Sequence, residues 1–366
     1  MNQVRRKAGT AGFWMDWAAV IALAAAVAVF GLLQGGNFFS PANAVNILRS
    51  MSITTIFAIA ATLTMAPDGF DMSACTLATV SSFLFASLFL WFGLPLWLSV
   101  AFTVVLTMGL YLLTMFLILV CRVPDMLATC ALMFVHQGLG LWWTGGSAVS
   151  AGMPTRWGTA PARAGWTEAA LSIGAAPWCI LIMLACVAFA FVFLQYTRHG
   201  RCLYAMGSNR TAAAYSGIPV KRYRFLAGML TAVLIAVGAI VVCSRNSAAQ
   251  ISGCDSYLMP SLAAVFVGRS VGGAEKPNAL GTLVGAALVA VLENGLTQMG
   301  VVYYVLPAVK GGVLALRESR RLCGFAARTI GAGAVYALDD IPGDSPAIAQ
   351  AREALRRAAR HDAPVL

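Results

Sequence analysis

The sequence predicts an all-α fold: a polytopic membrane helix bundle of about ten transmembrane helices, some of them discontinuous. Three observations predict it. First, 60% of the 366 residues are apolar and only 11% are charged, with a mean hydropathy of +0.79. Soluble globular chains hold about 45–50% apolar and about 25% charged residues. A chain this poor in charge cannot cover its surface in water, so lipid is its main solvent. Second, apolar runs recur along most of the chain, many near the ~20 residues that a helix needs to cross a bilayer. Third, the basic residues behind the net charge of +11 cluster between those runs. Cytoplasmic loops beside membrane spans carry such an excess, and the placement argues against a nucleic-acid partner.

The elements follow in order. Arg5, Arg6 and Lys7 lie in a short cytoplasmic segment, 1–16, ahead of an apolar stretch at 17–33. That stretch is long enough to span and has no clear small-residue cleavage site after it, so it reads as the first membrane helix rather than a signal peptide. Apolar stretches follow at 50–67, 74–92, 95–120, 126–143 and 178–197. An even number of crossings returns the chain to the cytoplasm at 198–224. This loop holds Arg198, Arg201, Arg210, Lys221, Arg222 and Arg224 and no acidic residue. Count and charge agree there. The loop at 144–177 then lies outside, and is long enough to carry a short surface helix. A span at 225–243 leads outward, and the run at 257–268 is too short for a simple span, so it reads as a re-entrant or half helix. Spans at 278–296 and 301–316 complete a membrane domain over 17–316, with both termini cytoplasmic. The last segment, 317–366, is a polar cytoplasmic tail in which 345–360 suits one helix, capped by Ser345 with Pro346 at its first position.

Few residues carry chemistry. The nine cysteines and three histidines are scattered and form no C-x-x-C pair, so neither a metal site nor a disulfide framework is indicated. No G-x-x-x-x-G-K-[ST] phosphate loop occurs, so any ATP hydrolysis belongs to another subunit. Charged residues inside spans are costly and mark candidate sites. Asp68 and Asp71 sit in M-A-P-D-G-F-D-M-S, where Pro67 and Gly69 interrupt an apolar run. Such an interruption predicts a discontinuous helix, with Asp71 and Ser73 positioned to cap its second half or to line a polar route. Glu293 and Asn294, in L-E-N-G-L, are the second candidate pair. They stand either on the route or at a helix end near the headgroups. The interrupted regions at 67–75 and 245–277 both follow spanning helices, the arrangement that points to a transport route in many carriers.

The segment 197–310 reads T-R-H-G-R-C-L-Y-A-M-G-S-N-R-T-A-A-A-Y-S-G-I-P-V-K-R, then V-G-R-S-V-G-G, L-G-T-L-V-G-A, L-E-N-G-L and V-K-G-G. It resembles the permease subunits of ribose-type ABC importers, in the superfamily that includes branched-chain amino acid permeases. Upstream, N-F-F-S-P-A-N-A-V-N-I-L-R (37–49), G-F-D-M-S (69–73), R-V-P-D-M-L-A-T (122–129) and T-G-G-S-A-V-S (144–150) resemble the family's early motifs and external loop.

The resemblance implies a transport subunit, not an enzyme, in the bacterial inner membrane, moving a monosaccharide or polyol inward with no cofactor of its own. It implies an ATP-binding subunit, a periplasmic or lipid-anchored sugar-binding protein and a second permease chain, alike or different, as partners. It further implies that Gly207, Asn209, Ala212, Ala213, Ser216 and Gly217 form a short helix that docks into the ATPase. A permease for branched-chain amino acids or nucleosides, and a proton-coupled secondary carrier, are the alternatives. Two departures stand out. Asp68 replaces the first glycine of the family's Gly-Gly-hydrophobic-Asp-Leu-Ser-x-Gly pattern and Cys75 replaces the last, and the final helix meets Arg317 and Glu318 soon after Lys310.

Overall fold

The computed structural model describes residues 17–156, 165–271 and 276–300. The expected segment at 1–16, the last span at 301–316 and the tail at 317–366 lie outside the described residues. Eight helices among the described residues are long and apolar enough to cross a membrane. They match the expected spans in order, and the sequence places them as a helical bundle with one further, shorter membrane helix.

The first helix, α1 (Ala18–Gln34), continues into a 3-10 turn at Gly35–Asn37. The second, α2 (Pro41–Met65), starts well before the apolar run that announces it. Ser40 explains the early start: its hydroxyl accepts from the Asn43 amide at 3.3 Å, and Pro41 fills the first helical position. After a break comes α3 (Ala74–Ala86), which passes into a π turn at Ser87–Trp91. Then follow α4 (Leu96–Leu119) and α5 (Asp125–Thr144). The connection expected to be external carries strand β1 (Val149–Ser150) and the expected short helix α6 (Glu168–Gly174), with Thr167 capping it. Next is α7 (Trp178–Tyr196).

The basic loop is itself helical, as α8 (Arg198–Ser208) and α9 (Arg210–Tyr215). Helix α10 (Val220–Asn246) begins inside the stretch expected as loop, so Lys221, Arg222 and Arg224 belong to its first turns. Strand β2 (Ala248–Ala249), half-helix α11 (Leu258–Gly268) and α12 (Ala279–Gln298) complete the described chain.

Position in the bundle follows sequence. Of its most apolar window, α3 buries 89% and α1 only 17%. Thus α3 is the central post and α1 a lipid-facing flank. Lipid tails supply no hydrophobic drive between helices, so contacts rest on small residues and hydroxyls. The Thr62 and Thr282 hydroxyls meet at 2.7 Å between α2 and α12, and those of Thr64 and Thr231 at 3.0 Å between α2 and α10. Thr107 of α4 donates to Ser81 of α3 at 2.8 Å.

Of the two forms expected for the run at 257–268, the structure shows the half-helix. Its chain enters at β2, which pairs antiparallel with β1. Its far end, Gly268, packs backbone to backbone on Gly281 near the start of α12. There the Pro277 carbonyl accepts a 2.8 Å hydrogen bond from Tyr204 of α8. The segment 248–268 therefore makes one full passage, irregular in its first part and helical in its second. The 11-residue helix covers only about 16 Å of that passage.

Helix α12 lies close on α11 because Gly281 and Gly285 face backbone atoms of Gly268 and Ala264. A side chain at Gly285 would strike the Ala264 carbonyl. Overpacking of this kind costs about 1–3 kcal/mol. Gly285→Leu should therefore lower the thermal midpoint of the detergent-solubilised chain, whereas Gly138→Leu, where a side chain meets open space, should leave it unchanged.

Candidate coupling and translocation site

The first break joins α2 to α3. Pro67 offers no amide hydrogen and ends the regular ladder. The Asp68 amide donates to Met65 O and the Gly69 amide to Thr64 O, both at 3.1 Å. Asp68 takes φ +60°, a left-handed conformation that glycine adopts freely and Asp tolerates better than most residues. A β-branched residue would be strained at this position.

Beyond the turn, Asp71 is buried and its carboxylate is fully used. Oδ1 accepts from the Ser73 amide at 2.8 Å and from the Ser73 hydroxyl at 2.7 Å, and Oδ2 accepts from Tyr111 Oη at 3.0 Å. Ser73 stands at the N-cap position of α3, yet its hydroxyl donates to Asp71 instead of accepting from the helix. Asp71 holds the turn, and Tyr111 of α4 anchors it.

The basic loop is pressed against this break. Gly207, in the last turn of α8, packs so closely on Ala66 and Asp68 that a methyl group there would collide with the Ala66 carbonyl oxygen. Asn209 caps α9 by accepting from the Ala212 amide at 2.9 Å. Ala213 faces inward and is buried, while Ala212, Ser216 and Gly217 are exposed, and Tyr215 is 89% exposed. Gly217, at φ +83°, ends the helix. Arg224 of α10 forms an ion pair with Asp125 at the start of α5, which fixes the exit of the loop. Burial pushes the Tyr204 phenol up to about 12, so it stays a neutral donor to Pro277 at physiological pH.

Asn294 lies elsewhere. It donates to Asn43 Oδ1 at 2.9 Å, and Gln298 donates to the same oxygen. Asn43 in turn donates to Phe38 O at 2.8 Å, and Gln34 to Gly295 O at 2.8 Å. These bonds tie the ends of α1 and α12 to the start of α2. Glu293 is half-buried beside them. Thus Asp71 and Ser73 lie in the break that Gly207 packs against, and Glu293 and Asn294 lie apart from it.

The second interrupted region is anchored on α3, the helix that begins at the first. Thr79 of α3 donates to Asp255 Oδ1 at 2.9 Å, and the Cys254 amide donates to Thr79 Oγ1 at 3.3 Å.

Residues 43–316 match the model of the family described as the branched-chain amino acid transport system / permease component. The chain belongs to this family. The ribose import permease protein of Escherichia coli (strain K12) is 30% identical over 313 residues, 85% of this chain and 95% of that one. That of Bacillus subtilis (strain 168) is 30% identical over 76% of this chain and 84% of its own length. The xylose transport system permease protein of Haemophilus influenzae is 24% identical over 81% of this chain and 93% of its own. No solved structure matches. The permease is thus a multi-pass protein of the bacterial inner membrane.

Sequence reasoning missed three members of this site. Tyr111 and Thr79 read as ordinary span residues, and Asp255 is a lone carboxylate after a Gly-Cys pair. Only Asp255 offered a signal, as a charge within an interrupted membrane region.

Two predictions follow from the packing. Asp68→Gly should retain the thermal midpoint, whereas Asp68→Val should lower it by about 1–2 kcal/mol of stability, the usual left-handed penalty. Gly207→Leu should lower it as well, by a comparable overpacking cost of about 1–3 kcal/mol, because the opposing group is backbone. An unchanged midpoint would contradict the contact.

Proposed function

We infer that the permease carries a monosaccharide or polyol inward as one subunit of a binding-protein-dependent ABC importer. A separate ATP-binding subunit hydrolyses the nucleotide, an extracytoplasmic sugar-binding protein delivers the cargo, and a second permease chain, identical or related, completes the pathway. The observation that carries this reading is the contact of Gly207 with Ala66. It gives an exposed basic segment, the part available to a soluble partner, a stiff mechanical connection to a broken membrane helix. A push on α9 is then a push on the break. The names of the relatives, ribose and xylose permeases, favour neutral hydroxyl-rich cargo.

In this reading Ala212, Ser216 and Gly217 present the docking surface, Asn209 starts the docking helix, and Ala213 and Gly207 seat it on the membrane domain. Asp71 and Ser73 shape the break beside the path, and Glu293 and Asn294 steady the opposite end of α12. Nucleotide-driven closure of the partners shifts an alternating-access equilibrium, with no chemical step in the chain itself.

The test is uptake into vesicles. Vesicles holding the permease with an ATP-binding subunit and a sugar-binding protein of a ribose-type importer should accumulate D-ribose or D-xylose when ATP is supplied, and vesicles with the permease alone should not. Accumulation by the permease alone would identify a secondary carrier, and selective uptake of leucine would overturn the sugar assignment. In the complete system Gly217→Arg should abolish uptake while the chain remains inserted. Gly217→Asn, which also tolerates positive φ, should keep most of it.

A further inference from the structure

A cavity of about 680 Å³ opens where α8, the first break, the start of α5, the end of α11 and the approach to α12 converge. Its size falls within the ~300–1,000 Å³ usual for a small-molecule pocket. The basic residues of 198–224 set this end of the bundle at the cytoplasmic surface.

The lining is unevenly charged. Three cations meet there from separate elements: Arg210 at the start of α9, Arg269 just past α11, and Lys276 ahead of α12. The two carboxylates among the lining residues are Asp68 and Asp125, and Asp125 is engaged by Arg224. Among the described residues, three cations therefore stand against Asp68. Such a surplus on the wall of a cavity raises its potential and concentrates anions within it. The remaining lining includes apolar groups, among them Phe266 of α11 and Met126 of α5. Met126 is 59% exposed in the first turn of a spanning helix, where the edge of the membrane falls.

We propose that this cavity binds an organic anion carrying a phosphate group, supplied either by the headgroup of an anionic phospholipid or by a soluble phosphate ester of the cytoplasm. Arginine presents a fork of donors that matches phosphate oxygens, and lysine adds a point charge. Met126 and Phe266 offer apolar surface to the carbon body of the ligand. Inorganic phosphate alone would leave most of the volume to water, and a neutral sugar would make no use of the cations. Basic pockets between membrane helices on the cytoplasmic side suit anionic headgroups. The site goes beyond the importer reading and is distinct from Ala212, Ser216 and Gly217, which that reading gives to the ATPase. A bound anion joins the start of α9 to the end of α11, and so steadies the basic loop against the half-helix.

The test reads the thermal midpoint of the full chain, purified in detergent and depleted of lipid. Dioleoyl phosphatidylglycerol is the lipid probe and sn-glycerol 3-phosphate the soluble one. Dioleoyl phosphatidylcholine and D-ribose are the zwitterionic and neutral controls. A saturable rise with a phosphate probe, and none with either control, is expected. In the double variant Arg210→Gln, Lys276→Gln, the probe concentration that gives half the rise should increase about tenfold. Both residues are exposed, and the probe-free midpoint serves as the check on folding. The charge-keeping pair Arg210→Lys, Lys276→Arg should respond as the parent chain does. A rise with phosphatidylglycerol alone assigns the site to lipid, and a rise with glycerol 3-phosphate assigns it to a soluble ester. No rise with either probe would overturn the proposal. So would an undiminished response in the glutamine variant, an equal rise with phosphatidylcholine, or a rise with D-ribose alone.

Discussion

Inside a bilayer the backbone may leave the helical ladder only where protein or trapped water satisfies the freed groups. Among the described residues the permease breaks that ladder at 66–73 and at 247–257, and the rest of the described structure is arranged around the consequences. The first break is folded onto Asp71, whose carboxylate absorbs three donors. The second is anchored on Thr79, which meets both the Cys254 amide and Asp255. The most buried of the spanning helices, α3, begins at one break and receives the other.

Helix α8 holds the first break and the segment that leads into α12. Gly207 touches Ala66 in that break, and Tyr204 holds Pro277 ahead of α12. The Arg224–Asp125 pair pins the exit of the same loop to α5. A close-packed, glycine-mediated contact transmits displacement because there is no side chain to absorb it. Packed interiors behave as stiff bodies with a few discrete arrangements. The loop is thus connected to the first break, to α5 and to the start of α12.

Most of the architecture was legible because lipid imposes a simple length-and-hydropathy rule. Each of the eight described spans falls on an apolar run, and the Pro67-Gly69 interruption announced the first break. Less obvious features were local or long-range. Ser40 and Pro41 were a readable helix start, overshadowed by the polar residues of the first turns of α2. The basic first turn of α10 read as loop, because charge was taken as the sign of an aqueous connection. The pairing of Arg224 with Asp125 spans 99 positions, and that of Thr79 with Asp255 spans 176. No local pattern encodes either. Asp68 shows the reverse case: a departure from the family's glycine whose meaning, a left-handed turn kept by a tolerant residue, is visible only in the backbone.

The account stands on the aqueous side that α8 and α9 face. Tyr215, exposed at the end of α9, offers the most direct probe as Tyr215→Cys, labelled with a membrane-impermeant maleimide in sealed vesicles of each orientation and compared with the parent chain. Labelling above the parent level in inside-out vesicles, and none in right-side-out vesicles, is the predicted result. The opposite pattern would place the segment outside the cell and contradict the account.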